Sequence, residues 1–158
     1  MILFVAIGGL FALMGFFVYF ASLDNPELDQ IEIELVGIEV IEVNSIENRA
    51  ELLTTFLVKN PSEKTFTVPL ITFELFADGK SIGSGQYSTE DIAMPGRAAF
   101  YPGTEIPLKT KFNLVLSDSI VQEYQDIING DEMRFSVEGE ITAETAWSLI
   151  EKEFQSSM

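Results

Sequence analysis

"TEIPLKTKFNLVLS", Thr104 to Ser117, decides how this chain folds. Ile106, Leu108, Thr110, Phe112, Leu114 and Leu116 take every second place, and Glu105, Lys109, Lys111 and Asn113 stand between them. Successive side chains of a strand point to opposite faces, so strict period-two alternation marks a half-buried β-strand. Working outward, the same grammar recurs. Ile71, Phe73 and Leu75 form one inward face and run into Asp78-Gly79. That dipeptide favours a hairpin, because a type I′ turn needs positive φ at both central positions. The return strand, Ile82 to Tyr87, is thin and carries Gly83 and Gly85, which predicts a bulge or a close backbone approach.

Upstream, Ala50, Leu52, Thr54, Phe56 and Val58 share a face, and the run stops at Lys59 before Asn60-Pro61. Proline cannot donate to a ladder, so the strand ends there. Ile31, Ile33 and Leu35 alternate with Glu32 and Glu34; the phase then slips at Leu35/Val36 and resumes as Val36, Ile38, Val40. That slip predicts a bulge or a strand that changes sheets.

Downstream the period changes. "SDSIVQEYQDIINGDE", Ser117 to Glu132, sets Ile120, Tyr124, Ile127 and Ile128 at helical spacing, with Ser117 or Asp118 placed to cap its start and Gly130 to end it. Met133, Phe135, Val137 and Ile141 then alternate with polar residues. The tail "AETAWSLIEKEFQ", residues 143–155, reads equally as helix or as a last strand with Ile150, Lys152 and Phe154 on one face. The pattern predicts, over residues 31–158, an antiparallel β-sandwich of the immunoglobulin or fibronectin kind, with one short helix between late strands.

Composition bounds the function. Nine basic residues stand against 25 acidic ones, and the formal charge of −16 lies wholly beyond Leu23. Such a surface repels nucleic-acid phosphates, which excludes nucleic acid as a partner. The acidity serves solubility or, alternatively, holds a cation loosely. With no Cys and no His, disulfides, thiolate nucleophiles, Ser-His triads and nearly all zinc sites are out of reach.

Residues 1–23, "MILFVAIGGLFALMGFFVYFASL", carry no charge. As a helix they span about 34 Å, against a hydrocarbon core of about 30 Å. No basic residue precedes the apolar run and Tyr19 fits poorly before a cut after Ala21, so the segment is expected to be a retained transmembrane helix and not a cleaved signal. The N-terminal amine favours a cytoplasmic N-terminus, which puts the β domain outside the cytoplasm. Gly8, Ala12 and Gly15 share a helix face and are candidate packing positions for another membrane protein's helix. Residues 24–30, "DNPELDQ", read as an acidic, polar linker that keeps the domain close to the bilayer.

Isolated motifs carry no chemistry. Gly79-Lys80-Ser81 imitates the end of a phosphate loop, but Glu74 stands where its first glycine is needed. Asn60-Pro61-Ser62 is excluded as a glycosylation acceptor by its proline. Asp24, Glu27, Asp29 and the pair Asp131, Glu132 lack an EF-hand pattern and read as solvated loops. Trp147, the lone tryptophan, reads as a core or edge aromatic. No catalytic, cofactor or metal site is expected.

Two stretches, "ELLTTFLVKNPSEKTFTVPLITFELFADGKSIGSG" and "IPLKTKFNLVLSDSIVQEYQDIINGDEMRFSVEGEI", resemble the type 2 late embryogenesis abundant family and its water stress and hypersensitive response domain. The resemblance runs over about residues 30–145, on the strand ending in Asn60-Pro61, the hairpin Asp78 to Gly85 and the Val137-Glu138-Gly139 step. It implies a folded, non-enzymatic sandwich tied to water stress and desiccation, often with one membrane helix, and a tail that continues as β. In some members an apolar groove is thought to take lipid. The expected function is a membrane-tethered stress or interaction module. The alternatives are an accessory subunit of a membrane complex and a lipid-binding sandwich.

Overall fold

The computed structural model describes residues 2–22, 25–91 and 97–158. Helix α1 (Ile2–Ser22) precedes a single helical turn, α2 (Asn25–Leu28). Eight strands follow among the described residues: β1 (Glu32–Asn44), β2 (Arg49–Lys59), β3 (Phe66–Ala77), β4 (Lys80–Ser88), β5 (Ala99–Phe100), β6 (Glu105–Val115), β7 (Phe135–Glu144) and β8 (Leu149–Ser157). Helix α3 (Val121–Asn129) lies between β6 and β7. One sheet has the order β1-β2-β6; the other has β4-β3-β7-β8, with short β5 also on β3. Every pairing is antiparallel. The sandwich and the late helix agree with the sequence expectation, and the tail, which its residues left open between helix and strand, is the strand that the resemblance implies.

The alternation of each strand explains the two layers. Leu52, Phe56 and Val58 of β2 and Phe112 and Leu114 of β6 face Ile71, Phe73 and Leu75 of β3 and Val137 and Ile141 of β7, all buried. Aromatic rings bind the layers: Phe56 meets Phe73 edge-on at 4.9 Å between centroids and Phe154 at 6.0 Å, and Phe73 also neighbours Phe112 at 6.2 Å. Such pairs add about 0.5–1.5 kcal/mol each beyond the area they bury. Thr54 sits on the same inner face, fully buried, and among the described residues its Oγ1 has no hydrogen-bond partner.

The turn chemistry is as read. Asp78 and Gly79 have φ of 48° and 82°, the type I′ requirement. Gly85 leaves room for a ring: a Cβ there would stand 2.6 Å from Phe73 Cζ. Gly139 is tighter, since a Cβ would meet the Thr72 carbonyl oxygen at 2.1 Å.

The bulge expected at the phase slip is present, and two local readings are corrected. The phase slip in β1 is a bulge at Val36, and a second bulge falls at Ile41. Val36 itself is the extra residue, 45% exposed, and does not continue the inner face. Helix α3 begins after Ile120 with no side-chain cap; the Ser117 hydroxyl bonds the Ser119 hydroxyl instead. Its end is as expected, with Gly130 left-handed at φ 77°. Glu123 in the first turn is held below its ordinary value of 4.5, first by its own backbone N–H and then by Lys80, whose Nζ lies 3.0 Å away. That interaction stabilises the fold above the ordinary carboxylate value and is lost as pH falls through the lowered one.

Two substitutions test this packing. Gly139→Ala is expected to lower the unfolding free energy by about 3 kcal/mol; an unchanged urea midpoint contradicts the close approach of β7 to β3. Thr54→Val is expected to be neutral or to stabilise by up to about 1 kcal/mol, because no hydrogen bond is lost and an unpaired hydroxyl is removed. A clear loss of stability in the same assay means that the hydroxyl is bonded.

Candidate interaction surfaces

One end of the sandwich is built around the chain's entry. β1, β3, β6 and β8 begin there, and β2 and β7 end there. The polar linker folds down onto this end. Asp29 N–H donates to the Asn25 carbonyl at 3.0 Å and Ile31 N–H to the Leu28 carbonyl at 3.2 Å. Leu28 and Ile31 are 0% and 1% exposed. Lys152 Nζ donates to the carbonyls of Asp29, at 2.5 Å, and Ile31, at 2.8 Å, so β8 clasps the linker's backbone.

Asn60 ties the neighbouring loops together. Its Nδ2 donates to the carbonyls of Lys64 at 2.7 Å and Phe100 at 2.8 Å. Its Oδ1 accepts from Ser62 N–H at 3.0 Å and the Ser62 hydroxyl at 2.8 Å. A buried amide with all of these bonds made is a rigid strut.

Two turns project from this end. Between β5 and β6, Thr104 N–H and hydroxyl both donate to the Tyr101 carbonyl, at 3.0 and 2.7 Å, which leaves the Tyr101 ring 61% exposed. Between β7 and β8, the Thr145 hydroxyl accepts from Trp147 N–H at 3.3 Å and Ser148 N–H at 3.0 Å. Trp147 is 75% exposed and so is not the core or edge aromatic expected. The Ser148 hydroxyl bonds Asn25 Oδ1, joining this hairpin to the linker.

The second surface is the outer face of the larger sheet. An open cleft of about 1250 Å³ runs across β4, β3, β7 and β8. Register places Glu74 opposite Glu138, and Glu140 opposite Glu153. Glu138 accepts from Gln155 Nε2 at 2.8 Å and Glu74 from the Ser81 hydroxyl. No basic residue lines the cleft. On the other sheet the charges are instead mixed, with Lys59 Nζ 2.8 Å from Glu34 and Lys111 Nζ 2.7 Å from Glu51. Each lysine is held above its ordinary value, first by that hydrogen bond. Among the described residues no group of three or more carboxylates is arranged to hold a metal ion.

The third surface is α1. It is long and apolar enough to cross a membrane by length and composition, and none of that span is buried against the rest of the chain. Gly8, Ala12 and Gly15 all lie on it, and a Cβ on Gly8 or Gly15 would meet nothing within 4 Å. Of the acidic loop residues, Glu27 accepts a bond of 3.3 Å from Glu63 N–H, and Asp24 lies outside the described residues.

No family model matches the chain, and no curated protein matches it. Among solved structures, it is similar to a protein of Arabidopsis thaliana determined in solution, with a TM-score of 0.54 and 15% identity over 80% of each chain. It is also similar to the solution structure of a candidate late embryogenesis abundant protein, with a TM-score of 0.50 and 11% identity over 97% of this chain and 84% of that one. At these identities the likeness is one of fold. The link to late embryogenesis abundant proteins that the sequence motifs suggest therefore holds at the level of the β-fold.

The acidic cleft predicts its own response to charge. Like charges opposite each other on a sheet destabilise it, so Glu153→Lys, facing Glu140, is expected to stabilise the chain by about 0.5 kcal/mol at low salt. The gain should shrink at ~1 M salt, where the Debye length is about 3 Å. A loss of stability on denaturant titration means instead that the carboxylates are engaged by a cation.

Proposed function

We propose that the chain is a single-pass membrane protein whose β-sandwich works by surface contact, without catalysis, as a stress-related interaction module. The observation that carries the reading is α1, an apolar helix of 21 residues of which none of the described side chains is buried against the body. A soluble helix of that composition buries its surface in a core; this one has only lipid or another helix to meet. The stress reading rests on the fold-level likeness to a candidate late embryogenesis abundant protein, and fold alone does not fix function.

A second reading, an accessory subunit of a membrane complex, is favoured by the open space outside Gly8 and Gly15, where a partner helix can approach closely. A lipid-binding groove has less support. The interior is filled by interlocking rings, and the open cleft is walled by four glutamates, which suit no acyl chain.

The tethering reading is tested by washing membranes that carry the full chain in alkaline carbonate. The chain is expected to stay with the lipid; its release into the wash contradicts a spanning α1. In intact cells, protease added outside is expected to remove the sandwich, and a protected sandwich reverses the orientation.

A further inference from the structure

We infer that the end of the sandwich that receives the linker rests on the lipid surface, with Trp147 and Tyr101 seated in the headgroup layer. This rests on the spanning reading of α1 and adds to it a second contact with the bilayer, made by the folded domain itself. Three observations carry it.

The first is distance. α1 ends at Ser22, and Asn25, three residues on, is already bonded to Ser148 in the β7–β8 hairpin. Three residues reach at most about 11 Å. The next residue back in that hairpin is Trp147, so the ring is confined to the vicinity of the helix end.

The second is distribution. Among the described residues after α1, Trp147 and Tyr101 are the two exposed aromatics. Both stand on turns of the same end, while the phenylalanines of the body are buried or half-buried. Leu149, 56% exposed, adds an aliphatic side chain beside Trp147.

The third is chemistry. Trp and Tyr carry an apolar body and a polar tip, and they concentrate where hydrocarbon meets headgroups. Glu27, Asp29, Glu32, Glu63, Glu105 and Glu144 lie at or near this end against Lys59, Lys64 and Lys152, which leaves it acidic. Anionic lipid is therefore repelled, and the surface that fits is a zwitterionic one.

Because Trp147 is the chain's one tryptophan, the intact protein reports on itself. The full chain is reconstituted into phosphatidylcholine vesicles, and vesicle flotation is read beside tryptophan emission. Lipids brominated high on the acyl chain are expected to quench Trp147 about twofold, as for a ring at headgroup depth, and lipids brominated near the chain end much less. The double variant Trp147→Phe, Tyr101→Trp moves the reporter to the neighbouring turn and is expected to give the same ordering. A chain that floats with the vesicles while Trp147 emits as in water, open to acrylamide and untouched by bromine, overturns the inference and leaves the spanning reading standing; that is also the result expected if the two rings contact another protein. A chain that fails to float overturns the spanning reading and this inference with it.

Discussion

Leu28 is the residue on which the arrangement turns. It lies in a stretch of Asn, Pro, Glu, Asp and Gln, yet it is fully buried and closes the end of the sandwich beside Ile31. Burying one leucine stabilises by about 1.5–3 kcal/mol, and Lys152 adds two charge-assisted bonds to the backbone around it. The consequence is geometric as much as energetic. A flexible tether would let the domain tumble; a seated one fixes which end faces the stem. The position of the Asn60 strut, the Tyr101 turn and the Trp147 hairpin relative to the entering chain follows from that seat.

The two sheets differ in how they meet solvent. The smaller sheet has mixed charges, and its long edge strand β1 carries two bulges, which bend an edge away from unwanted pairing. β1 outruns β8, whose Ser156 hydroxyl receives the Leu35 N–H at 2.9 Å. Beyond that level no strand among the described residues covers it, and so Val40 and Val43, though on the inner face by register, are 40% and 42% exposed. The larger sheet gathers carboxylates in opposed pairs across its cleft, at some cost in stability.

The parts legible in the sequence were those that local physics dictates. The alternation of Ile106 to Leu116 placed β6, positive φ at Asp78-Gly79 placed the hairpin, and Pro61 marked the end of β2. What escaped depended on distant partners. Leu28 is a lone apolar residue in a polar run, and no period can flag it; its burial comes from strands far along the chain. Trp147 looked like core because tryptophan is large, but its turn is fixed by the Thr145 hydroxyl, a contact that composition does not reveal. β8 read ambiguously because it is an edge strand, exposed on one face and only half-buried on the other. The Ile41 bulge had a signal that went unread, the adjacent Val40 and Ile41, after which Glu42 takes the place of an apolar residue.

The seat of Leu28 is tested most directly by hydrogen exchange on the full chain in vesicles. The amides of Asp29 and Ile31, bonded to the carbonyls of Asn25 and Leu28, are predicted to exchange as slowly as those of β2. Exchange at the rate of an open chain, while β2 stays protected, would show a loose tether and contradict the account.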